Sequence, residues 1–150
     1  MYAKANNRTV LSFSEQQIID CGNFTSPCQE NILSHEFIKK NGVVTEADYP
    51  YVGKENEKCK YDENKIKLWP TNMLLVGNLP ETLLKLFIKE HGPGYFRMKA
   101  PPSFFNYKTG IYSPTQEECG KATDARSLTI VGYGIEGGQN YWIVKGSFGT

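Results

Sequence analysis

The chain has 150 residues, which suffices for one domain of ordinary size or for parts of two lobes that share a cleft. Seventeen basic residues oppose sixteen acidic ones and no basic run occurs, which argues against nucleic acid as a partner. No apolar stretch is long enough to cross a bilayer, so a membrane is not expected as a partner either.

The first predicted helix is short and begins with a capping box. The Ser14 hydroxyl is expected to accept a hydrogen bond from the amide of Gln17, whose side chain would reach back towards Ser14. Ile18 and Ile19 then supply an apolar patch, and Gly22 ends the helix.

Two further helices are predicted before the pattern changes. One covers residues 30–40 and ends at Asn41-Gly42. The clearest helix covers residues 79–90, with Pro80 in its first turn and Gly92-Pro93 at its end. Its apolar residues share a face that we interpret as core: Leu83, Leu84, Phe87 and Ile88.

Strands are predicted only in the last third of the chain. Residues 110–112, 127–134 and 141–145 are rich in β-branched and aromatic residues, and Gly137-Gly138 is a turn signal between the last two segments. Helices that precede strands in this way indicate an α+β fold with two segregated parts.

Composition favours an oxidising compartment. Four cysteines, nine tyrosines and fourteen glycines are typical of a secretory-pathway domain, and Asn7 and Asn23 each begin a glycosylation sequon. The first residues contain no apolar signal segment. We therefore expect an extracellular or lysosomal protein whose signal peptide lies outside this chain.

Five parts of the sequence match motifs that occur together in one order. Residues 11–21 match L-S-E-Q-x-L-V-D-C, and Gly92-Pro93 followed by residues 107–112 matches G-P-V…Y-x-x-G-I-Y. The remaining matches are residues 41–44 with 49–51 to N-G-G-I…Y-P-Y, residues 131–134 to V-G-Y-G, and residues 141–145 to Y-W-I-V-K. Together these matches span nearly the whole chain, and in this order they resemble the cathepsin L type of papain-like cysteine peptidases (family C1).

The resemblance implies a two-lobe fold with a helical left lobe, a β-barrel-like right lobe and a substrate cleft between them. Residues 1–91 would be mainly left lobe and connecting segments, and residues 92–150 mainly right-lobe strands. It also implies that the chain is truncated at both ends and the fold incomplete. A peptide or protein ligand in the cleft is the expected partner, although Glu30 and Asn31 would crowd an extended peptide bound in the family's ordinary mode.

The family's catalytic positions are the most informative part of the resemblance. Its nucleophilic cysteine would precede Met1, its histidine position holds Arg126 and its asparagine position holds Gly146. A guanidinium stays protonated and accepts no hydrogen bond, so Arg126 cannot act as a general base. The resemblance therefore predicts no catalytic residue here and an inactive homologue, a pseudopeptidase with a binding or decoy role. The alternative is a cysteine endopeptidase seen as a fragment.

The resemblance also assigns the cysteines. Cys21 and Cys59 match a disulfide of the left lobe, whereas Cys28 and Cys119 match cysteines whose partners lie outside the chain, so both would be unpaired. No cysteine pair has the C-x-x-C spacing of a metal site, so neither a metal nor a cofactor is expected. For Arg126 two interpretations stay open: recognition of a carboxylate or other anion, and neutral drift after the loss of catalysis.

Overall fold

The computed structural model describes residues 10–22, 34–70, 77 and 79–148. The described residues form helices and one antiparallel sheet, which confirms the predicted α+β class. The chain divides into two compact units, residues 1–76 and residues 77–150. The lobe boundary near residue 91 stays a prediction.

The first helix, α1, covers Glu15–Cys21 and confirms only half of the predicted capping box. Ser14 Oγ accepts a hydrogen bond from the Gln17 amide at 3.0 Å, as expected. The Gln17 side chain, however, does not reach back: its Oε1 accepts from the Val44 amide at 2.9 Å and its Nε2 donates to the Gly42 carbonyl at 3.3 Å. The Ser14 amide, which the Gln17 side chain would have to reach in a full capping box, instead donates to the Val44 carbonyl at 3.1 Å. The Gln17 side chain is thus free to pair the buried backbone at Val44 and Gly42.

The buried face of α1 is polar rather than apolar. Gln16 and Gln17 are fully buried, while Ile18 and Ile19 are partly exposed, so the predicted isoleucine patch is not the packed face. Burying a glutamine amide is tolerated because its polar atoms are paired. The Gln16 side chain accepts from the amide of Val52 and donates to the carbonyl of Lys54.

The end of α1 is tied to the irregular segment by a carboxylate and a disulfide. Asp20 accepts hydrogen bonds from Gln16 Nε2, from the Tyr49 hydroxyl, and from both the amide and the side chain of Asn56, all at 2.7–2.8 Å. Burial raises the pKa of the Asp20 carboxyl, but the hydrogen bonds, those from Asn56 foremost, outweigh burial and hold the pKa below its ordinary value. The predicted disulfide between Cys21 and Cys59 is confirmed.

The second helix, α2, covers Ser34–Asn41; residues 30–33 of the predicted span lie outside the described residues. It ends at Gly42 as predicted, and Gly42 has a φ of +69°, a conformation that glycine adopts without strain. Val43 and Val44 follow directly as core residues, and Val43 forms an isolated bridge with Leu68.

In the second unit the helix α3 covers Glu81–His91, close to the predicted span. Pro80 precedes the helix as its N-cap rather than lying in the first turn, and Gly92, with a φ of +90°, ends it. The prediction that four apolar residues of this helix form a core face is only partly confirmed: Ile88 is buried, whereas Leu83 is 49% exposed. Periodicity identifies the side chains that share a face, but not how far along the helix that face finds a partner.

The sheet has three strands: β1 covers Gly94–Ala100, β2 covers Asp124–Glu136 and β3 covers Gln139–Lys145. Their order in the sheet is β1-β2-β3, with both pairs antiparallel. Positive φ values at both Gly137 and Gly138 confirm the predicted turn between β2 and β3. The two predicted strands that flank this turn are therefore present.

The third predicted strand is wrong, and a different segment takes its place. Residues 110–112 are not in a strand, because Gly110 has a φ of +85° and its carbonyl accepts a hydrogen bond from the Tyr107 hydroxyl at 2.6 Å. Instead β1 pairs with β2 along its whole length. The segment between β1 and β2 contains a 3₁₀ turn, Pro102–Asn106, and a short helix, α4, at Gln116–Gly120.

We predict that Asp20→Asn lowers the free energy of unfolding by about 2 kcal/mol, because one charged acceptor of four hydrogen bonds is replaced by a neutral group that also carries donors. A folded pKa below the ordinary value means that the carboxylate contributes its full stability above that ordinary value and loses it as the pH falls through the folded pKa. Urea unfolding followed by circular dichroism at neutral and at acidic pH measures both effects.

The matched control is Glu15→Gln, which removes an exposed carboxylate from the other end of α1. It should change stability by no more than a few tenths of a kcal/mol. The difference in unfolding free energy between wild type and Asp20→Asn should narrow at acid pH. A constant difference would contradict the assignment of this stabilisation to the ionised Asp20 carboxylate.

Candidate functional site

Arg126 lies on β2, directly opposite Met98 of β1. Its guanidinium carbon is 4.9 Å from the centroid of the Phe105 ring, a cation–π contact, and its Nη2 donates to Asp124 Oδ2 at 3.3 Å. One face of the guanidinium is therefore covered by an aromatic ring and one end is shared with a carboxylate.

The nitrogen atoms of Arg126 differ in their surroundings. Nε is enclosed by protein and has no hydrogen-bond partner within the described ranges, while the side chain as a whole remains 42% exposed. The hydrogen-bonding capacity that solvent or a ligand can reach therefore lies at the Nη end of the group.

Gly146 follows β3 and occupies a place with no room for a side chain. A Cβ atom built there would lie 2.9 Å from Leu128 Cδ2 and would overlap the Phe148 ring, whose Cδ2 would be 2.7 Å away. Leu128 is only 3% exposed and belongs to the core of the unit. A larger residue at position 146 thus requires Phe148 to move and Leu128 to shift.

One aromatic cluster, formed by Phe104, Phe105, Tyr112 and Phe148, connects the surroundings of Arg126 with those of Gly146. Phe104 is its centre: it makes edge-to-face contacts with the other three rings at centroid distances of 5.6–5.8 Å. The Phe105 ring makes the cation–π contact with the Arg126 guanidinium, and the Phe148 ring covers Gly146. The structure therefore joins both positions through a continuous set of rings.

Beside this cluster lies an open cavity of about 830 Å³, here called the aromatic cavity. Residues of all three strands and of the loops beside them line it, among them Met98, Phe104, Tyr112, Leu128, Trp142 and Phe148. Its volume lies in the range of small-ligand pockets, and its lining is largely apolar. Ser103 Oγ and the Tyr112 hydroxyl are 2.7 Å apart, so the hydroxyl of this lining ring is already paired.

No group of three or more His, Cys, Asp or Glu side chains in the described ranges converges in a way that could hold a metal ion.

The family model of the papain family cysteine proteases matches residues 1–150. The chain belongs to this family. It is 33% identical to a cathepsin L-like proteinase of Fasciola hepatica, over 97% of this chain and 45% of that protein. It is 32% identical to digestive cysteine proteinase 2 of Homarus americanus, over 95% of this chain and 45% of that protein. The resemblance identified from the sequence motifs is thereby confirmed.

A solved structure gives the same result for the fold. Procathepsin L2 from the larval midgut of Tenebrio molitor superimposes with a TM-score of 0.84 at 30% identity, over 97% of this chain and 47% of that chain. This papain-like chain spans about half the length of the curated relatives it matches. Its fold is accordingly a partial papain-like fold, as the sequence indicated.

Only some of the other predicted features fall on residues that the structure describes. Cys119, in α4, is exposed and has no disulfide partner among the residues described. Cys28 and both candidate glycosylation sites, Asn7 and Asn23, lie outside those residues, as do Glu30 and Asn31. Of the described helices, none is sufficiently long and apolar to cross a membrane.

Sequence reasoning did not identify the aromatic cluster as part of the site. The one local signal near the cluster is the pair Phe104-Phe105, which follows Pro101-Pro102-Ser103 in the sequence. The sequence does not reveal that Phe105 contacts Arg126, because a loop and a short helix separate the two residues. Phe148 is only two residues from Gly146, but the direction of its ring depends on the path of the chain after β3.

We predict that Gly146→Ala lowers the free energy of unfolding by about 2 kcal/mol, since the methyl group overlaps Phe148 and presses on buried Leu128. Adding Phe148→Ala should recover part of this loss, so the double variant should be more stable than the sum of the two single effects. Thermal and urea unfolding of the four proteins in this cycle measure the coupling.

Gly120→Ala is the matched control, because a Cβ added at Gly120 meets no atom within 4 Å. Its stability should stay within a few tenths of a kcal/mol of the wild type or rise slightly. Purely additive effects of Gly146→Ala and Phe148→Ala would show that the ring does not fill the space at position 146.

Proposed function

We propose that this chain is a catalytically inactive member of the papain family, a pseudopeptidase that acts by binding. The observation that carries the proposal is the identity of two residues: Arg126 at the family's histidine position and Gly146 at its asparagine position, each assigned from the flanking motifs. Both residues are built into their surroundings, which supports the proposal beyond the sequence alone.

Arg126 lacks the chemistry of a general base. Acyl transfer by a thiol needs a group that takes the thiol proton and later gives it to the leaving amine, whereas a guanidinium remains protonated throughout the working pH range. Removing the base from a comparable triad costs on the order of 10⁶ in rate.

Gly146 offers no amide to orient an imidazole. The space in which a side chain would begin is filled by the Phe148 ring, so a single substitution does not restore an asparagine in a usable position. Restoring an asparagine at position 146 therefore also requires a change at Phe148, so a single substitution there would cost stability.

The decisive experiment is a hydrolysis assay with a fluorogenic dipeptide on the purified full-length protein, beside an active papain-family enzyme as the positive control. We expect no turnover above background and no labelling by a thiol-directed epoxide at an active-site cysteine. Turnover that the epoxide abolishes would refute the proposal, because an inactive scaffold has no thiolate poised for that reagent.

A cysteine endopeptidase is the second candidate, and the names of the relatives favour it. The chain is about one-third identical to proteins named as proteinases. The coding sequence upstream of Met1 separates the two candidates: a C-G-S-C-W segment there supports residual activity, whereas a serine or glycine in place of its first cysteine removes the nucleophile.

The binding role has a direct test of its own. A scaffold that keeps the papain-like surface could serve as a decoy for peptidase inhibitors, so a pull-down with a cystatin-type inhibitor examines that version of the proposal. Retention of the inhibitor supports the decoy role. If the inhibitor does not bind at micromolar concentrations, that result counts against the decoy role.

An extracellular or lysosomal location belongs to the same proposal. The disulfide between Cys21 and Cys59 supports it, because structural disulfides persist in oxidising compartments. Glycosylation at Asn7 and Asn23 would accompany this location. A mass that falls on treatment with an endoglycosidase, in protein from a secretory host, tests the sequons directly.

A further inference from the structure

Residues 49–60 contain no helix or strand and lie against α1; they are here called the docked segment. Main-chain groups in such a segment depend on partners elsewhere, and α1 supplies them. Gln16 Oε1 accepts from the Val52 amide at 3.0 Å, and Gln16 Nε2 donates to the Lys54 carbonyl at 2.7 Å. Because Gln16 is fully buried, these hydrogen bonds hold the middle of the docked segment in one position.

Asp20, one turn further along α1, holds two other parts of the docked segment. Its carboxylate accepts from the Asn56 amide at 2.8 Å, from the Asn56 side chain at 2.7 Å and from the Tyr49 hydroxyl at 2.7 Å. A hydrogen bond of 2.8 Å from Gln16 Nε2 links Asp20 to Gln16, so the two side chains form one network. Hydrogen bonds to an ionised acceptor are stronger than those between neutral groups, which makes Asp20 the strongest member of this network.

Tyr49 extends the network to the end of the docked segment where the disulfide is located. Its hydroxyl donates to Asp20 and also accepts from the Lys60 amide at 3.2 Å, and Lys60 directly follows Cys59. Tyr49 is itself a buried core residue, so its ring has little freedom to move. The chain next to Cys59 is therefore held by hydrogen bonds that involve no sulfur atom.

The disulfide between Cys21 and Cys59 adds little to this docking, because the chain around it is already closed. The Val43 amide donates to the Leu68 carbonyl at 2.9 Å, so residues 44–67 form a loop whose ends meet without the disulfide. The side chain of Gln17 joins the start of this loop to α1. The disulfide only divides an existing loop, and a doubling of loop length changes a closure equilibrium by less than about threefold.

We propose that Asp20, rather than the disulfide, keeps residues 49–60 docked on α1, so that the docking is insensitive to the thiol redox state. Reduction converts Cys21 and Cys59 to thiols but leaves every donor and acceptor of the Asp20 network in place. The docked segment therefore keeps its position in a reducing compartment as well as in an oxidising one. This inference concerns the first unit alone and holds whether or not the protein hydrolyses peptides.

The test follows amide hydrogen exchange by NMR on the intact protein. The Val52 amide is the reporter, because its acceptor Gln16 is kept in every variant. Cys21→Ser combined with Cys59→Ser removes the disulfide and should lower the Val52 protection factor by less than about tenfold. Asp20→Ala should lower it by about a hundredfold, because the hydrogen bonds to an ionised acceptor are lost.

Treatment of the wild type with dithiothreitol makes the same comparison without a substitution. The reagent is oxidised to its cyclic disulfide while Cys21 and Cys59 each gain one electron and one proton, and a thiol assay confirms the reduction. The Val52 protection factor should again fall by less than about tenfold.

Asp62→Asn is the matched control, because it changes a carboxylate just after the docked segment. Asp62 Oδ1 accepts from the amide and the side chain of Asn64 and so caps a local 3₁₀ turn. This substitution should change the Val52 protection factor by less than about twofold.

Three results would overturn the inference. A loss of Val52 protection that is as large without the disulfide as in Asp20→Ala would assign the docking to the disulfide. Unchanged protection in Asp20→Ala would show that Asp20 does not hold the segment. An equal loss at the Val43 amide, in both Asp20→Ala and the milder Asp20→Asn, would show that Asp20 supports the whole unit rather than the docking of one segment.

Discussion

The second compact unit depends on the pairing of one central strand. β2 pairs with β1 on one side and β3 on the other, and α3 packs against it. Because side chains alternate along a strand, a single register places Leu128 and Ile130 in the core and Arg126 at the edge of the same face. A slip of one residue would bury polar Ser127 and Thr129 and expose the core, so the position of Arg126 is secured by the packing of its neighbours.

The first unit is held in a different way, by buried polar side chains that satisfy an irregular backbone. Ser14, Gln16 and Gln17 bond to main-chain groups between residues 42 and 54, and Asp20 extends the network beside the disulfide. A segment with few regular elements leaves many amides and carbonyls unpaired, and glutamine side chains supply both donor and acceptor at once. The polar face of α1 is thus a structural requirement of the loop it contacts.

The two positions that decide the proposed function share one aromatic environment. Phe104 contacts both Phe105, which stacks on Arg126, and Phe148, which fills the space above Gly146. A substitution at position 126 or 146 therefore alters contacts that the neighbouring aromatic rings make with the present residue. This explains how a scaffold of the papain family can accommodate a cation and a glycine there while the strands around them keep their pairing.

The amino-acid sequence by itself determined the family and the α+β class, and through the family resemblance the disulfide between Cys21 and Cys59, because its motifs occur in a fixed order. It also determined the hairpin at Gly137-Gly138, because a glycine pair between two strand-like segments is a local signal. It failed where partners are distant. The strand at residues 110–112 was wrong and β1 was missed, although β1 alternates clearly, because strand propensity does not reveal which segment finds a pairing partner. Only the tertiary structure decided that α1 buries its glutamines and that Phe105 contacts Arg126, since those partners are distant in the sequence. It also decided that the Phe148 ring lies over nearby Gly146, because the path of the chain after β3 sets the direction of that ring.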